Sequence, residues 1–269
     1  MKAMVPGVPA YLTSRRGGSR RWRELHAFPE RMTVTSRPTA VLAVLCGLLS
    51  QTALSQEPQA ERAPDTMEAR VLACAACHGR QGEGTSNDYF PRLSGKPAGY
   101  LYNQLVAFRD GRRKYPPMNY LLAYLPDAYL RKIADHFASR RPPFPTIAAP
   151  AVAPAVLERG RQLVQSGDPS HKVPACASCH GASLTGMEPA VPGLLGLHAE
   201  YLSAQLGAWR YGTRTSYAPD CMQQVASRLT DTDVTAISAW LASQPAPANP
   251  SPAPAGSLDM PLACGSEPR

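Results

Sequence analysis

The pattern Cys-x-x-Cys-His occurs twice in this 269-residue chain, at Cys74, Cys77 and His78 and again at Cys176, Cys179 and His180. On a helix, residues three and four apart share a face. Both thiols of one copy can therefore reach the vinyl groups along one edge of a porphyrin and form thioethers. The histidine that follows is aimed at the metal in its centre. This is the attachment pattern for c-type haem. Zinc ribbons also use two Cys-x-x-Cys pairs, but they separate them by about 15–20 residues, and here roughly a hundred intervene. A thioredoxin-like redox pair needs a βαβ context, which the hydrophobic pattern does not show. Two covalent haem c groups are expected, held by Cys74, Cys77, Cys176 and Cys179, with His78 and His180 each filling one axial position.

The chain repeats itself around these motifs. Pro91-x-Leu93-x-Gly95 returns as Pro192-x-Leu194-x-Gly196, and Tyr100-Leu101-x-x-Gln104-Leu105 as Tyr201-Leu202-x-x-Gln205-Leu206. Phe108-Arg109-x-Gly111 returns as Trp209-Arg210-x-Gly212, and Leu130, Ile133 and Phe137 as Val234, Ile237 and Leu241. A repeat of this length predicts two small domains, each with a haem supplying much of its core. The predicted division is 56–140 for the first domain, 141–154 for a Pro/Ala-rich semi-rigid linker, and 155–244 for the second. Residues 245–269 form a Pro-rich tail, extended and solvated over 245–254.

The stretch before the first domain reads as targeting sequence. Residues 32–55 have the form of a secretory signal, with Arg37 in the charged region and an apolar core over 40–49. That core is too short to span a bilayer. Residues 1–31 read as an extension upstream of a second start at Met32. Residues 1–55 carry eight Lys/Arg and two Asp/Glu, so +6 of the whole-chain +8 resides there. The remaining charge of about +2 argues against nucleic-acid binding. The expected location is the periplasm, with membrane contact only through partner complexes or an uncleaved leader.

The helical segments can be placed coarsely. Asp65, with Glu68 three residues on, reads as a cap before the first haem motif. Leu101, Leu105 and Phe108 have helical spacing, and Gly111 suits the stop. Leu202, Leu206, Trp209 and Gly212 repeat it. Asp127 opens a third helix with Leu130, Ile133, Ala134 and Phe137 on its apolar face, and Thr230 with Asp233 opens the counterpart. No convincing strand is present, and the glycines of 79–84 predict a loop beneath the first haem.

The second axial ligand should lie about forty residues after each histidine. Met118 and Met222 do so, between the second and third helices of their repeats. Met/His ligation raises the reduction potential, because a thioether favours Fe(II). Met187 competes in the second unit but sits in the loop just after His180, and Met67 reads as core. His136, His171 and His198 read as packing or surface residues. Arg109 and Arg210 either pair with haem propionates or are solvated helix ends.

These motifs together, across 63–244, resemble the di-haem cytochrome c4 family. The resemblance implies an all-α fold of two tandem class I cytochrome c domains, packed with their haem propionate edges close. It implies electron transfer between redox proteins, from a quinol-oxidising complex to a terminal oxidase. The alternatives are an electron-transfer subunit of a dehydrogenase, such as one oxidising sulfide through a flavin partner, or a thiosulfate dehydrogenase-like enzyme. The chain departs from the family at Cys221 and Cys264. With Cys46 in the signal and four thiols on haem, these two remain in an oxidising compartment, which predicts a disulfide. Cys221 as a thiolate ligand, or two free thiols, are the rivals.

Overall fold

The computed structural model describes residues 65–267, which belong to one compact unit. The expectations for 1–31, for the 32–55 signal and for Cys46 lie outside the described residues. Within the unit are two helical lobes, each with its own apolar core.

The first lobe holds α1 (Met67–Arg70), α2 (Leu72–His78), α3 (Ala98–Arg109), α4 (Pro116–Leu122) and α5 (Asp127–Ala138). The helix α1 is capped one residue later than the sequence pattern indicates. Thr66 accepts from Ala69 N, while Asp65 turns away and pairs with Arg70. The predicted apolar face of α5 is correct, since Leu130, Ile133, Ala134 and Phe137 are all buried. They pack on α3 through Leu101, Val106 and Phe108. Gly79 follows His78 at φ +85°, and Gly181 follows His180 at φ +82°. An L side chain rarely adopts that conformation, so each glycine ends its haem-motif helix directly after the histidine.

Residues 141–153 are irregular, and they are held down. The guanidinium of Arg92 donates to Pro142 O and Pro143 O, each at 2.7 Å, and lies over the Phe144 ring. The second lobe holds α6 (Pro154–Gln165), α7 (Ala177–His180), α8 (Ala199–Arg210), α9 (Cys221–Ala226) and α10 (Asp231–Ala242). Thr230 and Asp233 form the reciprocal capping box at α10. The helix α6, which the sequence pattern did not single out, packs closely on α10. A Cβ on Gly160 would stand 2.1 Å from Ala236 O, so only glycine fits there.

Two departures concern the second lobe's loops. The four residues of β1 (Gly186–Met187) and β2 (Val191–Pro192) pair antiparallel, a ladder too short to show alternation in sequence. The tail is extended but not free in solvent. Ala253 N donates to Gly186 O and Glu188 N donates to Ala253 O, both at 2.9 Å. Among the described residues, no helix is long and apolar enough to cross a membrane.

Candidate haem sites

The repeated Pro-x-Leu-x-Gly turn has a function beyond its shape. His78 Nδ1–H donates to Pro91 O at 2.9 Å, and His180 Nδ1–H donates to Pro192 O at 2.8 Å. Both prolines sit at the same place in their repeats. With Nδ1 committed to a carbonyl, each neutral ring keeps its Nε2 lone pair for a metal, and a partner of this kind fixes the ring's orientation. Both imidazoles are buried, and burial pushes each toward its neutral, ligating form.

Each histidine lines a largely apolar cavity. In the first, Cys74, Cys77 and His78 meet Met118, which comes from α4. In the second, Cys176, Cys179 and His180 meet Met222, which comes from α9. The sequence places both methionines between longer helices, and the structure sets each on a short helix of its own. Met187 is buried on β1, and Met67 packs against the first core beside α2. Neither lines a haem cavity. The four motif thiols are unpaired. Burial pushes that of Cys176 up to about 12. Among the described residues no group of three or more His, Cys, Asp and Glu is placed to hold a metal ion.

Arg109 and Arg210 are engaged elsewhere. Arg109 Nη1 donates to Asp127 at 2.6 Å, and Arg210 pairs with Asp231. Each arginine ties the end of one helix to the start of the next but one, α3 to α5 and α8 to α10. Of the two readings for these residues, the helix-end one matches the structure.

Among the cations that line the cavities, beside Lys96, are Arg113 and Arg214, four residues further on in each repeat. Arg113 Nη1 donates to Gln104 at 3.0 Å, and its Nη2 donates across the seam to Tyr201 OH at 2.8 Å and to Gln205 at 2.7 Å. Arg214 donates to Gln205 at 2.7 Å and across the seam to Gln104 at 2.6 Å. Both guanidinium groups are buried among these neutral partners. Burial, then the charge of Arg113, pulls Arg214 down to about 10. Buried charge is costly unless an anion compensates it. Arg214 also lies 3.6 Å over the Trp209 ring, whose buried Nε1–H has no partner. Buried guanidiniums and an orphaned indole donor fit the carboxylates of haem propionates. The sequence signal for Arg113 and Arg214 was their equal offset in both repeats, adjoining the Arg-x-Gly motif.

His198 does more than pack. Its Nε2 lies 3.1 Å from Thr85 O and its Nδ1 3.2 Å from Asp88, both in the other lobe. His171 is an exposed partner of Asp168, and His136 stacks edge-on to Phe137, as surface or packing residues would. Cys221 and Cys264 are joined in a disulfide. Cys221 is therefore not available as a thiolate ligand, and neither thiol is free.

A two-lobed helical scaffold with a Cys-x-x-Cys-His cavity in each lobe defines a tandem class I cytochrome c. The cytochrome c family model matches residues 68–128 and 157–245. A thiosulfate dehydrogenase electron acceptor of Stutzerimonas stutzeri is 35% identical over 205 residues, covering 76% of this chain and 93% of that one. Cytochrome c4 of Pseudomonas aeruginosa is 35% identical over 176 residues, covering 65% and 85%. The crystal structure of reduced cytochrome c4 from Pseudomonas stutzeri superposes with a TM-score of 0.58 at 31% identity, covering 65% of this chain and 95% of that one. The chain belongs to the di-haem cytochrome c4 family. It carries two covalently bound haem c groups, and its work is electron transfer.

Proposed function

We propose that this protein is a periplasmic electron carrier that takes electrons from a quinol-oxidising complex and delivers them to a terminal oxidase. His78 with Met118 and His180 with Met222 are the axial ligand pairs, and Cys74, Cys77, Cys176 and Cys179 are the thioether anchors. One observation carries the reading. Lys96, Tyr100, Gln104, Tyr201, Gln205 and Arg214 line both cavities, so the two redox sites adjoin at the seam.

The haems supply the Fe(III)/Fe(II) couples when bound, and the protein tunes and positions them. Pro91 and Pro192 hold the histidine rings in one tautomer and orientation. Met118 and Met222, which line the two cavities, would each give the bound iron a second protein ligand and would leave no open site for a small substrate. Arg113 and Arg214 place positive charge at the seam, which opposes the extra positive charge of the ferric state.

A second reading has its own support. The name of the Stutzerimonas relative describes an acceptor for a dehydrogenase, and this chain could be reduced by such an enzyme in place of a quinol-oxidising complex. The enzyme alternative needs an exchangeable or a cysteine iron ligand, and the Cys221 thiol is in the disulfide. Stopped-flow mixing separates the donors. Quinol with membranes containing the quinol-oxidising complex should reduce the oxidised protein rapidly. Reduction by thiosulfate with a thiosulfate dehydrogenase, and not by the membranes, would move the protein to the second reading.

A further inference from the structure

A further cavity, of about 500 Å³, lies between the lobes on the linker side. It runs from Ser94 and Gly95 of the first lobe, past linker residues 141–144, to Thr185 and Leu195 of the second. Arg141, Phe144 and Thr185 line it and neither haem cavity, so it is a separate space. Arg92, Lys96 and Arg141 bring three cations to its wall, and among the described residues no Asp or Glu joins them there. Every hydrogen-bond acceptor these cations use is a backbone carbonyl. Arg92 donates to Pro142 O and Pro143 O, Lys96 to Gly193 O at 2.8 Å, and Arg141 to Ala138 O and Arg140 O. Carbonyls satisfy N–H groups but do not cancel charge. Arg92 and Lys96 are buried, Arg92 Nε has no partner among the described residues, and Arg141 is exposed. Burial holds the Arg92 guanidinium below its ordinary range; Glu83 opposes this and Arg141 adds to it. Burial also pulls Lys96 down to about 8, against the influence of Tyr201 and with that of Arg92. Glu188 is near enough for Arg141 to act on it, but neither it nor Glu83 lines the cavity. Cations gathered around one open space cost free energy until an anion compensates them.

We propose that this cavity is a binding site for a small organic polyanion, with carboxylate or phosphate groups on a carbon frame. Its volume falls in the range of small-molecule sites. Arg92, Lys96 and Arg141 take the anionic groups through charge-assisted hydrogen bonds, Thr185 offers a hydroxyl, and Phe144, Leu184 and Leu195 give the carbon frame apolar walls. The site does not depend on which donor reduces the protein. It is coupled to the haems all the same, because Lys96 lines both haem cavities and Arg92 the first. Negative charge bound here favours Fe(III), so the ligand lowers the potentials and, by linkage, the oxidised protein binds it more tightly.

Titration calorimetry of the oxidised holoprotein at fixed ionic strength tests this, with citrate and glycerol 2-phosphate as probes and sulfate as the inorganic comparison. At least one organic probe should bind one per chain and more tightly than sulfate; which one does so tells carboxylate from phosphate recognition. Arg141→Gln, at an exposed position, and Arg92→Gln should each weaken that binding about fivefold or more, as loss of a charge-assisted hydrogen bond requires. The Arg141 variant keeps the test open if the Arg92 variant does not fold. The bound probe should also lower the potential of at least one haem in the wild type, and at the same concentration less in Arg141→Gln. No binding of either organic probe at about 10 mM would overturn the proposal. So would sulfate binding as tightly as both, or binding that Arg141→Gln leaves intact. Binding lost in Arg214→Gln but kept in Arg141→Gln would place the anion at the haem seam and overturn it equally.

Discussion

The guanidinium of Arg214, in the second lobe, donates to Oε1 of Gln104, in the first, at 2.6 Å. Arg113 returns the same kind of bond to Gln205 at 2.7 Å. Each buried cation thus serves its own lobe's cavity and the seam at once. Positive charge here disfavours the ferric state. A unit charge about 10 Å from an iron contributes roughly 1–2 kcal/mol at an effective dielectric of about 20. Replacing Arg214 or Arg113 by Gln should therefore lower the nearer haem's potential by on the order of 50 mV. Potentiometric titration of each variant reads this directly, and unchanged potentials would remove both arginines from the electrostatics of the site.

Met118→Ala should lower the first haem's potential by about 0.1 V or more, a fraction of the roughly 0.8 V that axial ligands span. It should also open that iron to added imidazole. Met222→Ala should do the same at the second iron. A variant that keeps its potential and binds no added ligand would show that the methionine is not a ligand.

The helices and the attachment motifs were legible in the sequence because their signals are local and doubled. Leu130, Ile133 and Phe137 state a helical face by spacing alone, and Cys74, Cys77 and His78 state an attachment chemistry by type and order. The Met118 and Met222 positions followed from the repeat. Arg113 and Arg214 were harder, because their significance is a cross-lobe contact with partners some ninety to a hundred and ten residues away in sequence. Arg109 and Arg210 carry the same side chain at an equally regular offset. Only the placement of Asp127 and Asp231 tells the two arginine pairs apart. The tail shows the same limit: a Pro-rich segment looks solvated until Ala253 is seen bonded to β1.

The Cys221–Cys264 bridge closes a loop with a sequence separation of 43. Chain-entropy reasoning gives such a loop roughly 4 kcal/mol at most. Cys264→Ser should lower stability toward denaturant by up to that amount. It should also free the tail segment from α9, so that cyanide reaches the second iron faster while the first is unaffected. Equal cyanide rates at the second iron in variant and wild type would show that the tail does not guard it.

Asp168 ties the turn at 169–171 to α6 and, through Arg159, to α10. Its carboxylate accepts from Ser170 Oγ at 2.5 Å, from Arg159 at 2.8 Å and from His171 Nδ1 at 3.0 Å. Arg159 also reaches Asp233, at 2.9 Å, in the capping box of α10. These bonds, that of Ser170 foremost, hold the Asp168 carboxyl well below the usual carboxylate range. Below about pH 4 the unfolded chain binds a proton at this position that the folded one still refuses. The associated stability is therefore complete above that pH and declines as pH falls further. Asp168→Asn should reduce stability at pH 7 and flatten the acid limb of a stability–pH profile. A variant with the wild-type acid limb would assign that limb to other carboxylates.

Coulometric reduction of the purified holoprotein, with haem absorbance followed throughout, tests the central claim most directly. The account predicts two electrons per chain, taken up at two iron centres whose potentials both lie in the positive range typical of His/Met ligation. Uptake of a single electron, or a centre that binds imidazole without any substitution, would contradict a two-haem carrier with both irons closed.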